Sequence, residues 1–146
     1  MVTSPRDPPA ASHPSRPRGP FPKRERVRKR REYLEIQAQG KRVTLTHFVL
    51  IVRARAESDV ARLGITASRK VGVAVVRSRI RRVVREAYRA TRDLFPPDVD
   101  VVVIVKRAPK ELGLAQVIAE FRNARGILLR RIDEARRELN TRRVEA

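Results

Sequence analysis

The stretch VDVVVIVKR, residues 99–107, does most to restrict the fold. A strand with one wet face alternates apolar and polar residues; this one is apolar almost throughout, so both of its faces must be covered. It therefore calls for a sheet with helices packed against it. At 146 residues the chain can build one such domain with a real core, and it is too short for two. The rest of the pattern supplies the covering elements. KRERVRKRREYLEIQAQGK predicts a helix over 28–38, with Gly40 as its stop. RVTLTHFVLIVRAR is rich in β-branched residues without a breaker and reads as one long strand. ESD makes a turn, and RLGITASRK reads as a second strand, the hairpin partner of the first. A helix follows over 74–92, ended by FPPD because prolines cannot continue it. APKELG turns the chain after the apolar strand, and a last helix runs over 114–139, with Gly126 marking a bend. The order α-β-β-α-β-α defines an α/β domain, an α+β sandwich with helices on a small sheet.

The ends differ in character. Residues 1–22 hold seven of the ten prolines and little that is apolar, and so read as a disordered Pro/Arg-rich tail. The folded domain is expected over 23–139, with 140–146 as a C-terminal tail. No apolar run approaches the ~20 residues of a membrane span and no signal-peptide core follows Met1, so a cytoplasmic protein is expected. There is no cysteine, which excludes disulfides, thiolate nucleophiles and zinc knuckles.

Net charge is +19, a self-repulsion that a polyanion would relieve. The charge is organised in SRKVGVAVVRSRIRRVVREAYR, residues 68–89. On a helical wheel Val76, Ile80, Val83, Val84 and Ala87 form one apolar stripe. Arg77, Arg81, Arg85 and Arg89 step by four along its border, Arg79 and Arg82 fan across the outer face, and Glu86 alone offsets them. Like charges at this spacing disfavour an isolated helix, whereas arginine forks suit phosphate oxygens. Structured RNA fits better than the DNA major groove, since neither a helix-turn-helix lead-in nor a zipper accompanies the helix. Gly72, beside Arg69 and Lys70 at the helix start, would let backbone approach a phosphate, and also serves as a simple strand-to-helix turn.

These residues resemble the signature of the bacterial ribonuclease P protein family: a basic pair, V/I-G-x-A, then Arg-Asn-Arg and two more basic residues. RLGITASRK, HFVLIV, VDVVVIVKR and the segment from FPKRERV to QGKR match as well, so the resemblance covers residues 21–135. Ser78 stands where the family has the central Asn, Val73 where it has a polar residue, and Gln37 where a second aromatic is common. The resemblance implies a left-handed βαβ crossover and a subunit that binds a catalytic RNA and helps it remove the 5′ leader of precursor tRNA. It implies an RNA-binding face of Arg69, Lys70, Gly72, Arg77, Ser78, Arg79, Arg81, Arg82 and Arg85. It further implies a leader cleft at Tyr33, Phe48, Leu50 and Thr66 with Arg30 nearby, Phe48 being equally well read as core. One protein per RNA is expected, with no membrane partner. A ribosomal or other structural RNA-binding protein, or a DNA-binding regulator, would share the basic surface.

No catalytic set is visible in the chain. His13 and His47 lack partners at motif spacing, and Asp98 and Asp100 read as turn caps rather than metal carboxylates. Chemistry is expected in the RNA, with Mg2+ serving that RNA and no cofactor or metal held by the protein.

Overall fold

The structure, a computed structural model, describes residues 23–56, 60–107 and 112–145. The expected tail over 1–22, the ESD turn and most of the APKELG turn lie outside the described residues. Eight helices and strands follow in the order α1 (Arg30–Gln39), β1 (Lys41–Thr44), β2 (Phe48–Ala54), β3 (Arg62–Thr66), α2 (Ala74–Ala90), β4 (Val99–Val105), α3 (Leu114–Asn123) and α4 (Arg125–Glu145). The strands form one mixed sheet in the order β1-β2-β4-β3.

β4 occupies the middle of the sheet, as its composition demands, and six of its seven residues are buried. It runs antiparallel to β2 and parallel to β3. This corrects the expected hairpin between β2 and β3. Inserted between them, β4 has both edges paired as well as both faces covered, which a β2–β3 hairpin would have prevented. α2 makes the crossover from β3 to β4.

The long strand expected over 42–55 is instead a tight hairpin. The chain reverses at Leu45, Thr46 and His47, closed by Leu45 N donating to Phe48 O at 2.8 Å. No glycine or proline marks the turn because tertiary contacts hold it. His47 N donates to Glu120 Oε2 at 2.8 Å, and Lys106 N donates to His47 O at 2.8 Å. β3 is shorter than RLGITASRK suggested: it is an edge strand, and after Thr66 the chain turns through Ser68–Lys70 toward α2. The C-terminal helix breaks at Ala124, two residues ahead of Gly126. α4 then continues to Glu145, so 140–145 is helical where a tail was expected.

Strand parity sorts the core into two layers. Phe48, Leu50, Val52, Val101, Val103, Leu63 and Val43 face α2, α3 and α4, where they meet Ile80, Val84, Tyr88, Phe121, Leu128 and Ile132. Phe48 packs edge-on to Phe121 at 5.7 Å. The opposite face is thinner: Ile51 and Val102 meet Ile36 and Val27 beneath α1.

Asp98 and Asp100 are ion-pair anchors rather than turn caps. Arg136 on α4 donates from Nε and Nη2 to the two Asp98 oxygens at 2.9 and 2.8 Å, tying α4 to the start of β4. That bond holds the Asp98 carboxyl below its usual range. A depressed folded-state pKa stabilises fully above the unfolded value near ~4 and is lost as pH falls through the folded one. Asp98→Asn should therefore lower the melting temperature at neutral pH, and the gap to wild type should close as pH falls below about 4. A gap that stays constant on acidification would show that the pair does not contribute.

Candidate nucleic-acid interface

α2 carries the apolar stripe the sequence predicted. Ile80, Val84 and Ala87 are buried with Tyr88, while Val76 and Val83 are half-buried at its margins. The arginines then fall where the wheel puts them. Arg82 and Ser78 are exposed on the outer face, and Arg77, Arg81 and Arg85 are half-buried along the border. Arg79 leans toward α3, donating from Nη1 to Leu112 O at 3.1 Å, so it is partly engaged in holding that turn. Arg69 and Lys70 are exposed on the turn before the helix.

Gly72 shapes that turn. Its φ of +157° falls where side chains are rarely tolerated, and a Cβ there would lie 2.8 Å from Val76 Cγ1. Val73 is the N-cap and offers no side-chain cap, so the first amides of α2 have no partner from that residue.

Charge is segregated across the molecule. The acids are spent elsewhere: Asp100 on Arg55 and Arg62, Glu32 on Arg62, Glu35 on Arg53, Glu25 on Arg92, Asp93 on Arg122, and Glu138 on Lys41 and Arg142. On α2, Glu86 is taken by Arg89 at 3.2 Å. With the described acids, none of Arg69, Lys70, Arg77, Arg79, Arg81, Arg82 and Arg85 forms a salt bridge. Burial, and then the neighbouring charges of Arg26 and Arg81, lower the affinity of Arg85 for its proton.

Beside this face, α1, the end of β3 and α2 enclose an open groove of about 530 Å³. Arg28, Arg30, Tyr33, Leu34 and Gln37 form one wall, Ile65, Thr66 and Ala67 the floor, and Arg81 the other wall. Tyr33 is positioned by β3: its ring lies where a Cβ on Gly64 would come within 2.7 Å, and its hydroxyl accepts a bond from Ile65 N at 3.3 Å. Glu32 steadies the same turn of α1, its Oε2 accepting from Arg62 Nη1 at 3.0 Å.

The groove brings Arg30, Tyr33 and Thr66 together, as the resemblance implied. It does not include Phe48 or Leu50. Both are fully buried on the opposite face of the sheet, because even-numbered residues of β2 point toward α2 and α3. Arg28, Leu34, Ile65, Ala67 and Arg81 complete the groove without having been expected there. Leu34 is 51% exposed, off the Ile36 stripe of α1, and that offset from the buried stripe is the one trace it leaves in the sequence. Among the described residues no group of three His, Cys, Asp or Glu side chains could hold a metal ion. His47, at the β1–β2 turn rather than within a strand, is bound by Glu120, with Nδ1 and Oε1 2.7 Å apart.

A basic α/β domain whose arginine helix carries one acid, Glu86, already paired with Arg89, beside a groove holding one half-buried tyrosine is a module for binding a polyanion strand. The ribonuclease P family model matches residues 21–131. The ribonuclease P protein component of Syntrophus aciditrophicus is 41% identical over 107 residues, 73% of this chain and 86% of that protein. That of Dictyoglomus turgidum is 44% identical over 87 residues, 59% and 71% of the two chains. Among solved structures, the RNase P protein of Staphylococcus aureus superposes with a TM-score of 0.63 at 28% identity, covering 70% of this chain and 94% of that one. The RNase P protein of Thermotoga maritima gives 0.58 at 32%, covering 68% and 93%. The chain belongs to the ribonuclease P protein family.

Proposed function

We propose that this chain is the protein subunit of a ribonuclease P, one copy per catalytic RNA, which holds that RNA on the arginine face of α2 and the 5′ leader of precursor tRNA in the groove. The carrying observation is the adjacency of the two surfaces: Arg81 belongs to both, so an RNA on the arginine face lies beside a strand seated in the groove at Tyr33. Arginines supply sequence-independent phosphate contacts, and an aromatic edge in a basic groove suits an unpaired base. In this reading the endonuclease chemistry belongs to the RNA and its magnesium. The described acids do not fit a magnesium site, since Asp98 and Asp100 are held by Arg136, Arg55 and Arg62.

The direct test is reconstitution with the cognate RNA at low magnesium. The protein should stimulate 5′ leader removal, and protein freed of RNA should cleave nothing. Maturation of precursor tRNA by the RNA-free protein would overturn the reading, and cosedimentation with ribosomes in place of one RNA species would point to a structural RNA-binding role.

Tyr33→Ala probes the groove. It should weaken binding of leader-bearing precursor tRNA by ~1–3 kcal/mol, the worth of one base stack, and leave mature tRNA binding nearly unchanged. The salt dependence should not move, because stacking releases no counterions. Equal losses for both tRNAs would make Tyr33 a prop for β3 through its bond to Ile65 rather than a base platform.

A further inference from the structure

Arg26 lies outside the motif that singled out α2, yet its side chain borders a second cavity. This cavity, about 280 Å³, adjoins the groove and shares Tyr33, Ile65 and Arg81 with it; Arg26 and Arg85 supply the remaining charge. The segment before α1 fixes Arg26 there. It pairs with Leu63 as an isolated parallel bridge, Val27 N donates to Leu63 O at 2.9 Å, and the Val27 side chain is buried.

Three features of the cavity point to an anion. Arg26 Nε is buried and has no hydrogen-bond partner among the described residues, a costly arrangement for a cationic donor. No described acid lines the space. Arg26, Arg81 and Arg85 face one another, and their mutual repulsion, added to burial, reaches the Arg85 guanidinium. A tetrahedral oxyanion would accept from planar forks on several sides and remove that repulsion.

We propose that Arg26, Arg81 and Arg85 form a clamp for one phosphate group of an RNA backbone, seated beside the base position at Tyr33. The phosphate comes either from the leader or from the catalytic RNA. Only this choice of source rests on the subunit reading above; the anion site stands on the cavity itself.

Titration of the full-length protein with inorganic phosphate tests the site directly. The Nε–Hε NMR resonance of Arg26 should shift and saturate, and it should stay still in Arg85→Gln. Arg26→Gln should weaken phosphate binding roughly tenfold or more, Arg26→Lys less so, and Arg130→Gln on α4 should not change it. An unmoved Arg26 resonance, or equal losses in Arg26→Gln and Arg130→Gln, overturns the proposal whatever becomes of the subunit reading. The source follows from neutral methylphosphonate linkages placed one at a time in the assembled ribonucleoprotein. At the clamped position wild type should lose roughly tenfold in affinity, while Arg26→Gln loses nothing further. Coupling at a leader position assigns the phosphate to the substrate, and coupling at a position in the catalytic RNA assigns it there. Coupling nowhere in either RNA overturns the clamp as an RNA contact. Failure of the subunit reading would show separately, as wild-type protein that does not stimulate leader removal.

Discussion

Protein carrying Arg77→Ala, Arg81→Ala and Arg85→Ala together should lose RNA affinity by roughly a hundredfold or more at physiological salt. Its log–log salt slope should become shallower by roughly 2–3, since each lost phosphate contact removes ~0.7–0.9. The three side chains border the stripe made by Ile80, Val84, Ala87 and Tyr88 without belonging to it, so the fold should survive. Stability should hold or rise slightly, because the crowding of Arg81 and Arg85 with Arg26 is relieved. Filter binding over a salt series, with thermal melting of the free protein, checks both halves. A folded mutant with an unchanged slope would move the RNA face away from α2.

The second large effect concerns stability. Asp100 is fully buried within β4, its Oδ1 2.9 Å from Arg55 Nε and its Oδ2 2.8 Å from Arg62 Nη2. Register explains the grouping: Asp100 pairs with Arg62 on β3 and with Arg53 on β2, and Arg55 follows β2 directly. The bonds to Asp100, and then that to Glu32, make the Arg62 guanidinium hold its proton more tightly than usual. Asp100→Ala removes the carboxylate shared by two guanidinium groups that keep only 21–22% of their side-chain surface in water, leaving Arg62 with Glu32 alone among the acids and Arg55 with the Val60 and Pro97 carbonyls. The expected cost is about 3 kcal/mol, the low end for breaking a buried pair, with Asp100→Asn costing less because an amide oxygen can still accept. Urea unfolding measures it, and a loss under about 1 kcal/mol would mean that water already screens the cluster.

Much of this architecture could be read from the residues. The apolar run over 101–105 in β4 demanded cover on both faces and found it, and the wheel of α2 separated its buried stripe from its arginines. What escaped has identifiable physical causes. The β1–β2 turn carries no turn chemistry of its own, because Glu120 and Lys106, distant in sequence, hold His47 in place. Phe48 is core, the second of the two readings open to it, and Leu50 lies beside it rather than in the cleft; Phe48 through Val52 are all apolar, so no polar alternation reveals which parity faces α1. Asp100 looked like a turn residue because its partners lie on other strands. Arg26 is one of many cations in KRERVRKRR, and only its seat against Leu63 distinguishes it.

The strand order has a consequence for how the chain comes together. β4 is the last strand in sequence but the central one in space, so β2 and β3 remain unjoined until Val99–Val105 has been synthesised. The arginine helix thus emerges from the ribosome before the surface that seats it exists, exposing a cationic amphipathic segment to an environment dense in RNA. Contacts this distant in sequence close slowly. A chain that stops short of Val99 retains the β1–β2 hairpin but lacks the strand that joins it to β3.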